Sequence, residues 1–174
     1  MTIATYSVHR TPIGEALLVT TEAGLVALSV LDGPAYAEVS RLSMLLHAVP
    51  TPDDGPSSRA AEELDEYFAG TRRAFTVPLD WRLTGGFTRR ALEAIVEVPY
   101  GETASYAEIA VAAGSARAHR AVGTACARTP WSIVLPAHRV IRSDGSLGEY
   151  GGRPEHKRFL LDLEERVASS TGRT

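Results

Sequence analysis

Short runs of β-branched and apolar residues dominate the start of the chain. Thr5–His9, Ala16–Thr21 and Gly24–Leu31 have the composition of strands, and Glu22-Ala23-Gly24 supplies a turn before the third. Residues 50–57, Pro-Thr-Pro-Asp-Asp-Gly-Pro-Ser, read as a surface loop. Ser58–Phe68 has the spacing of an amphipathic helix ending near Gly70, and Phe75–Leu79 reads as one more strand. From Phe87 the period changes. Phe87, Ala91, Ala94 and Ile95 share one face of a helix predicted over 87–97, which Pro99-Tyr100-Gly101 stops. Ser105-Tyr106-Ala107-Glu108 is a capping box that opens a helix running to Ala113 and ending at Gly114. Arg117–Cys126 follows as a second helix, made of small residues and arginines. Helix, glycine-containing turn and basic helix form a helix-turn-helix pattern, although close packing on a core selects the same small residues. Trp131–Leu135 reads as a buried apolar strand that runs into Pro136.

Composition adds bounds to this pattern. At 174 residues and 44% hydrophobic, the chain can bury a core as one ordinary domain or two small ones. The change of character near residue 80 divides it into 1–80, strand-rich, and 81–174, mostly helical. There is no apolar run of membrane-spanning length and no basic-then-apolar leader at Met1–Thr5, so a cytoplasmic protein without membrane contact is expected. The one cysteine, Cys126, cannot form an internal disulfide or a cysteine-rich zinc site, and no metal or cofactor is expected. The net charge of −3 argues against a polyanionic partner until it is split. Residues 1–80 carry five arginines against eleven acids, a balance of −6, while residues 81–174 carry thirteen basic residues against ten acids, a balance of +3. The second part would meet such a partner, since phosphates respond to local cationic patches.

Candidate chemistry gathers at Leu135-Pro136-Ala137-His138-Arg139-Val140. A rigid turn, a small residue, a His and an Arg are the layout of a reactive site, yet Ala137 offers no reactive atom. Cys126, eleven residues upstream, reads as a buried, inert thiol. His9 and His119 read as ordinary surface or helix-end residues, and His156 as a surface residue at a helix start. Asp144-Gly145 is a turn, and Arg139 and Arg142 read either as phosphate contacts or as solvated side chains.

Three segments together carry a specific resemblance: VPYGETASYAEIA (98–110), RAVGTACARTPWSIVLPAHRVIRSDGSLGEYGG (120–152) and KRFLLDLE (157–164). They resemble the C-terminal domain of the O6-alkylguanine-DNA alkyltransferases, the methylated-DNA–protein-cysteine methyltransferase family. The resemblance implies an α+β protein. Its N-terminal domain would be a small ribonuclease-H-like α/β unit with antiparallel strands. Its C-terminal domain would be mostly helical and winged-helix-like, with the helix-turn-helix. It implies a monomer that binds double-stranded DNA in the minor groove and flips an alkylated guanine into a pocket. Arg120 resembles the finger that fills the vacated stack, and Tyr106 the tyrosine that crowds the 3′ phosphate. Arg117, Ala121, Gly123 and Arg139 fall in the implied DNA-binding surface. Val140, Tyr150, Gly151 and Thr129 fall at the implied base pocket. His138 and Glu164 match the pair that takes a proton from the nucleophilic cysteine through a water; a thiol is weak until deprotonated.

The departures bear on function. Ala137 stands at the nucleophile, Thr129 where the family usually has Asn, and Leu92 where it usually has Trp. Two accounts follow. In the first, the chain is similar to the family's cysteine-lacking alkyltransferase-like members, which bind O6-alkylguanine without repairing it and hand it to nucleotide excision repair proteins. In the second, it is a methyltransferase whose Cys was changed to Ala by design. The changes at Thr129 and Leu92 favour the first, and the full-length N-terminal part favours the second. A helix-turn-helix transcription regulator would leave the Pro-x-His-Arg-Val segment without a purpose.

Overall fold

The computed structural model describes residues 1–172, which form two compact units, Met1–Leu83 and one beginning at Thr84. In the first unit, β1 (Ala4–Thr11), β2 (Gly14–Thr21) and β3 (Gly24–Val30) form an antiparallel meander. β4 (Thr51–Pro52) adds to β1 in parallel, giving the order β3-β2-β1-β4. The central strand explains its own sequence. Ala16, Leu17, Leu18 and Val19 are all fully buried, so the run is continuously apolar rather than alternating. Helix α1 (Ala35–Leu46) places Leu42 and Leu46 against Leu17, Val19 and Val26. Helix α2 (Ser58–Phe68) buries Ala60, Leu64 and Tyr67, and it packs beside β1. Each fully buried large apolar side chain contributes about 1.5–3 kcal/mol. Gly24 is required where the chain passes Pro78, because a Cβ there would lie 2.3 Å from the Pro78 carbonyl oxygen.

Several expectations are corrected here. Phe75–Leu79 is not a strand; only Leu79 bridges to Leu25. The buried Glu63 carboxylate accepts the backbone N–H groups of Thr76 and Val77, so a side chain replaces the strand ladder. The loop at 50–57 contains β4. Helix α1 had no counterpart in the sequence reading. It starts after Pro34 without a side-chain cap and ends at His47 in the left-handed region, so the usual polar start signal is missing.

In the second unit, α3 (Gly86–Val96), α4 (Tyr106–Ala112), α5 (His119–Ala127) and α6 (Pro154–Thr171) surround Ile95, Ala110, Val122 and Leu160, all fully buried. A two-residue parallel pairing joins β5 (Ala104–Ser105) to β6 (Val140–Ile141). The capping box is present in both directions: Glu108 N–H donates to Ser105 Oγ at 3.1 Å, and Ser105 N–H donates to the Glu108 carboxylate at 2.6 Å. Gly114, at φ 83°, turns the chain toward α5. Helix α5 begins at His119, two residues after the expected start, so Arg117 lies in the turn before it.

The segment Trp131–Leu135 is buried as expected, but it is not a strand. Val134 N–H donates to the Ser132 carbonyl at 2.7 Å, and Ile133 adopts φ 69°. A β-branched residue in the left-handed region costs about 1–2 kcal/mol. Full burial of Trp131 and Leu135 on either side offsets that cost. This tight path delivers Pro136 and the 3₁₀ turn Ala137–Arg139.

Candidate functional site

The 3₁₀ turn carries Ala137, His138 and Arg139 into the interior; none is more than 7% exposed. Glu164, on the third turn of α6, meets two of them. His138 Nε2 donates to Glu164 Oε1 at 2.8 Å. Arg139 binds the same carboxylate in a fork, Nε to Oε2 and Nη2 to Oε1, each at 2.9 Å. Its remaining arm, Nη1, donates to the Val98 carbonyl at 2.7 Å, and its guanidinium lies 5.5 Å from the Tyr100 ring centre. Gly101 N–H donates to Glu164 Oε2 at 3.2 Å. A buried carboxylate is thus surrounded by donors.

Burial alone would raise the Glu164 pKa, but hydrogen bonds and charge from His138 and Arg139 outweigh it and bring it down to about 2. Burial lowers the His138 pKa despite Glu164, so the ring is neutral at ordinary pH. A neutral imidazole that donates through Nε2 carries its lone pair on Nδ1. The turn therefore holds a neutral, carboxylate-braced imidazole next in sequence to Ala137. Tyr150 packs edge-on to His138, with ring centres 6.5 Å apart. Its hydroxyl is buried, and burial pushes its pKa up, so it remains protonated.

Arg139 was expected on the DNA-binding surface and is instead committed to the interior ion pair; this corrects the sequence reading. Its partner lies 25 residues away on α6, a proximity created only by folding. Thr129 Oγ1 accepts the Trp131 N–H at 3.3 Å, so the threonine itself holds the turn leading to the site. Leu92 is fully buried in α3. Val140 is fully buried, and its carbonyl accepts a hydrogen bond from Lys157 Nζ. Gly151 is exposed in the loop before α6.

Lys157, at the start of KRFLLDLE, carries no sign in the sequence of the place it takes in the fold. It is fully buried on α6, 5.7 Å from the Tyr106 ring centre, and burial lowers its pKa to about 8. A lysine three residues into a helix gives no sequence signal of burial. Cys126 matches its expected character: 5% exposed, with burial raising its pKa to about 12.

A second feature is a groove of about 550 Å³ between α5 and the loop before α6. Tyr106, His119, Arg120, Gly123, Arg142 and Glu149 lie along it. Tyr106 is seated by two glycines. A Cβ on Gly148, at φ 73°, would fall 2.6 Å from its hydroxyl, and one on Gly123 would lie 3.9 Å from its ring. Arg120 is exposed at the rim on the first turn of α5. Arg117 and Ala121 are exposed but do not line the groove, whereas His119, read as an ordinary surface residue, does. His9 pairs with Asp65 at 2.7 Å in the other unit, and His156 lies 3.5 Å from Arg153.

Comparison with known proteins accounts for both units. The family described as "6-O-methylguanine DNA methyltransferase, ribonuclease-like domain" matches residues 4–81, and the one described as "6-O-methylguanine DNA methyltransferase, DNA binding domain" matches 86–166. The methylated-DNA–protein-cysteine methyltransferase of Methanosarcina barkeri is 39% identical over 165 residues, covering 92% of this chain and 96% of its own. The crystal structure of the Mycobacterium tuberculosis O6-methylguanine methyltransferase superposes with a TM-score of 0.80 at 38% identity, covering 95% of this chain and 94% of that one. The same Mycobacterium protein in complex with DNA gives a TM-score of 0.80, covering 94% of each chain. The α+β fold of an N-terminal ribonuclease-like unit and a C-terminal helical unit is that of these proteins. The chain therefore belongs to the methylated-DNA–protein-cysteine methyltransferase family, with an alanine in the turn where the sequence resemblance places the nucleophile.

Proposed function

We propose that this protein binds double-stranded DNA containing O6-alkylguanine from the minor-groove side, flips the damaged base into a pocket beside Ala137, and transfers no alkyl group. It flags the lesion for nucleotide excision repair. The observation that carries this reading is the coexistence of an inert Ala137 with the residues the resemblance assigns to flipping and proton transfer. Tyr106 and Arg120 line one groove, and His138, Glu164 and Tyr150 form one cluster. Family membership and the DNA complex of a relative at 38% identity support the DNA partner. Extrusion is cheaper for a damaged pair, which gives selectivity without chemistry.

The site has a proton acceptor and nothing to deprotonate. His138 is neutral and braced by Glu164, as a base would be. Cys126 does not stand in for the missing thiol in this reading: it is buried, and burial raises its pKa to about 12, so the thiol stays protonated. Val140, Tyr150, Gly151 and Thr129 are assigned to the base pocket, and Arg117, Ala121 and Gly123 to the DNA-facing side of the helix-turn-helix. A second reading, a methyltransferase disabled by one exchange, draws on the same intact cluster and on relatives that are methyltransferases across both units. The Ala137→Cys variant discussed below separates the two.

Arg120→Ala tests the flipping role. The side chain is exposed and has no hydrogen bond or ion pair among the described residues, so thermal stability should stay within about 0.5 kcal/mol of wild type. Affinity for an O6-methylguanine duplex, measured by fluorescence anisotropy, should fall at least tenfold more than affinity for undamaged duplex. Equal losses on both duplexes would remove Arg120 from lesion recognition.

A further inference from the structure

We propose that Arg142 grips a DNA phosphate at the groove that Arg120 and Tyr106 also line, and that Glu149 in the same groove weakens the hold on DNA. The inference rests on the proposed DNA-binding function and adds these two residues to it. Arg142 and Glu149 both line the α5 groove, and both also line an adjoining cavity of about 310 Å³ beside Tyr150 and Pro154. They therefore stand where the two spaces meet.

The loop that carries Arg142 is held from within. Arg142 N–H donates to the Ser146 carbonyl and Gly145 N–H to the Arg142 carbonyl, each at 2.9 Å. The nearby Asp144 carboxylate accepts the Ser146 N–H at 2.9 Å and the Ser146 hydroxyl at 2.7 Å, and it feels the Arg142 charge without a direct ion pair. Arg142 is exposed. Unlike Arg139, it has no carboxylate within ion-pair distance among the described residues, so its charge is available to a ligand. Arg120 approaches from α5 across Tyr106, and the electrostatic influence of Arg142 and Glu149 reaches the Tyr106 hydroxyl. Two cations from different elements that line one groove together with an aromatic ring fit a phosphate held beside a displaced nucleotide. The Glu149 carboxylate lining the same groove opposes them.

An arginine fork carried on a loop whose backbone is pinned suits a phosphate, because the planar guanidinium presents its donors together. One phosphate contact contributes about 0.9 to the slope of log affinity against log salt, which is about fivefold in affinity at 0.15 M salt. The test is titration of wild type, Arg142→Gln and Glu149→Gln with an undamaged and an O6-methylguanine duplex at several salt concentrations. Arg142→Gln should lose about fivefold on both duplexes and about 0.9 of slope, and Arg142→Lys should recover most of it. Glu149→Gln should tighten both duplexes twofold or more. Wild-type binding with an unchanged Arg142→Gln affinity and slope would overturn the assignment of Arg142. An unchanged Glu149→Gln affinity would overturn that of Glu149. Failure of wild type to bind either duplex would instead overturn the proposed function. Thermal unfolding of each variant separates these outcomes from misfolding, since both residues are exposed.

Discussion

Ala137→Cys should convert a protein that transfers no alkyl group into one that accepts up to one per molecule. The new thiol would arise on a turn already fixed by the full burial of Trp131 and Leu135, next to an imidazole that is neutral and hydrogen-bonded to Glu164 at 2.8 Å. Thiolate formation needs such a base. The rate should nevertheless fall short of what the site allows. Thr129 holds the preceding turn through one hydrogen bond of 3.3 Å, whereas an Asn side chain can accept and donate together. A displacement of about 1 Å costs on the order of a hundredfold in rate. Single-turnover transfer of label from an O6-methylguanine duplex should therefore be slow for Ala137→Cys and faster when Thr129→Asn is added. Rapid transfer with no gain from the second change would favour the single-exchange reading. No transfer by either variant would mean that the His138–Glu164 pair does not serve residue 137.

The largest effect on stability is expected at Glu164. Glu164→Gln keeps the shape but leaves Arg139, 7% exposed, without its counter-ion and weakens the support of His138. Breaking a buried pair from one side costs about 3–5 kcal/mol. Denaturant unfolding should show that loss for the helical unit, and a change below about 1 kcal/mol would show that the cluster is not the tie it resembles. The pH dependence has a definite sign. The folded-state pKa of Glu164 lies below its ordinary 4.5, so its contribution is complete above that value and disappears as pH falls toward about 2. His138 is also lowered, from 6.5, so protonation of the unfolded chain already erodes stability below that pH. Wild type should lose stability in both windows, and Glu164→Gln should lack the lower one.

Local signals were legible in the sequence. The three strands of the meander, α2, α3 and the Ser105–Glu108 capping box follow from period, turn residues and a two-ended side-chain cap, all within a few residues of one another. Features that depend on distant partners were not. Phe75–Leu79 has strand composition, yet Glu63 takes its backbone donors. Trp131–Leu135 has the apolar run of a strand, yet packing forces Ile133 to φ 69° and coils the segment. At the site, the motif located Ala137, His138 and Glu164, but it could not separate the buried Arg139 from the exposed Arg142, two basic residues three apart on one short segment. What distinguishes them is Glu164, which folding brings to only one.

Stoichiometric incubation of the wild-type protein with a duplex carrying labelled O6-methylguanine tests the central claim most directly, by recording both the complex and the position of the label. A lesion-preferring complex with all label recovered in the DNA is the predicted result. Label on the protein, above all on Cys126, would contradict it.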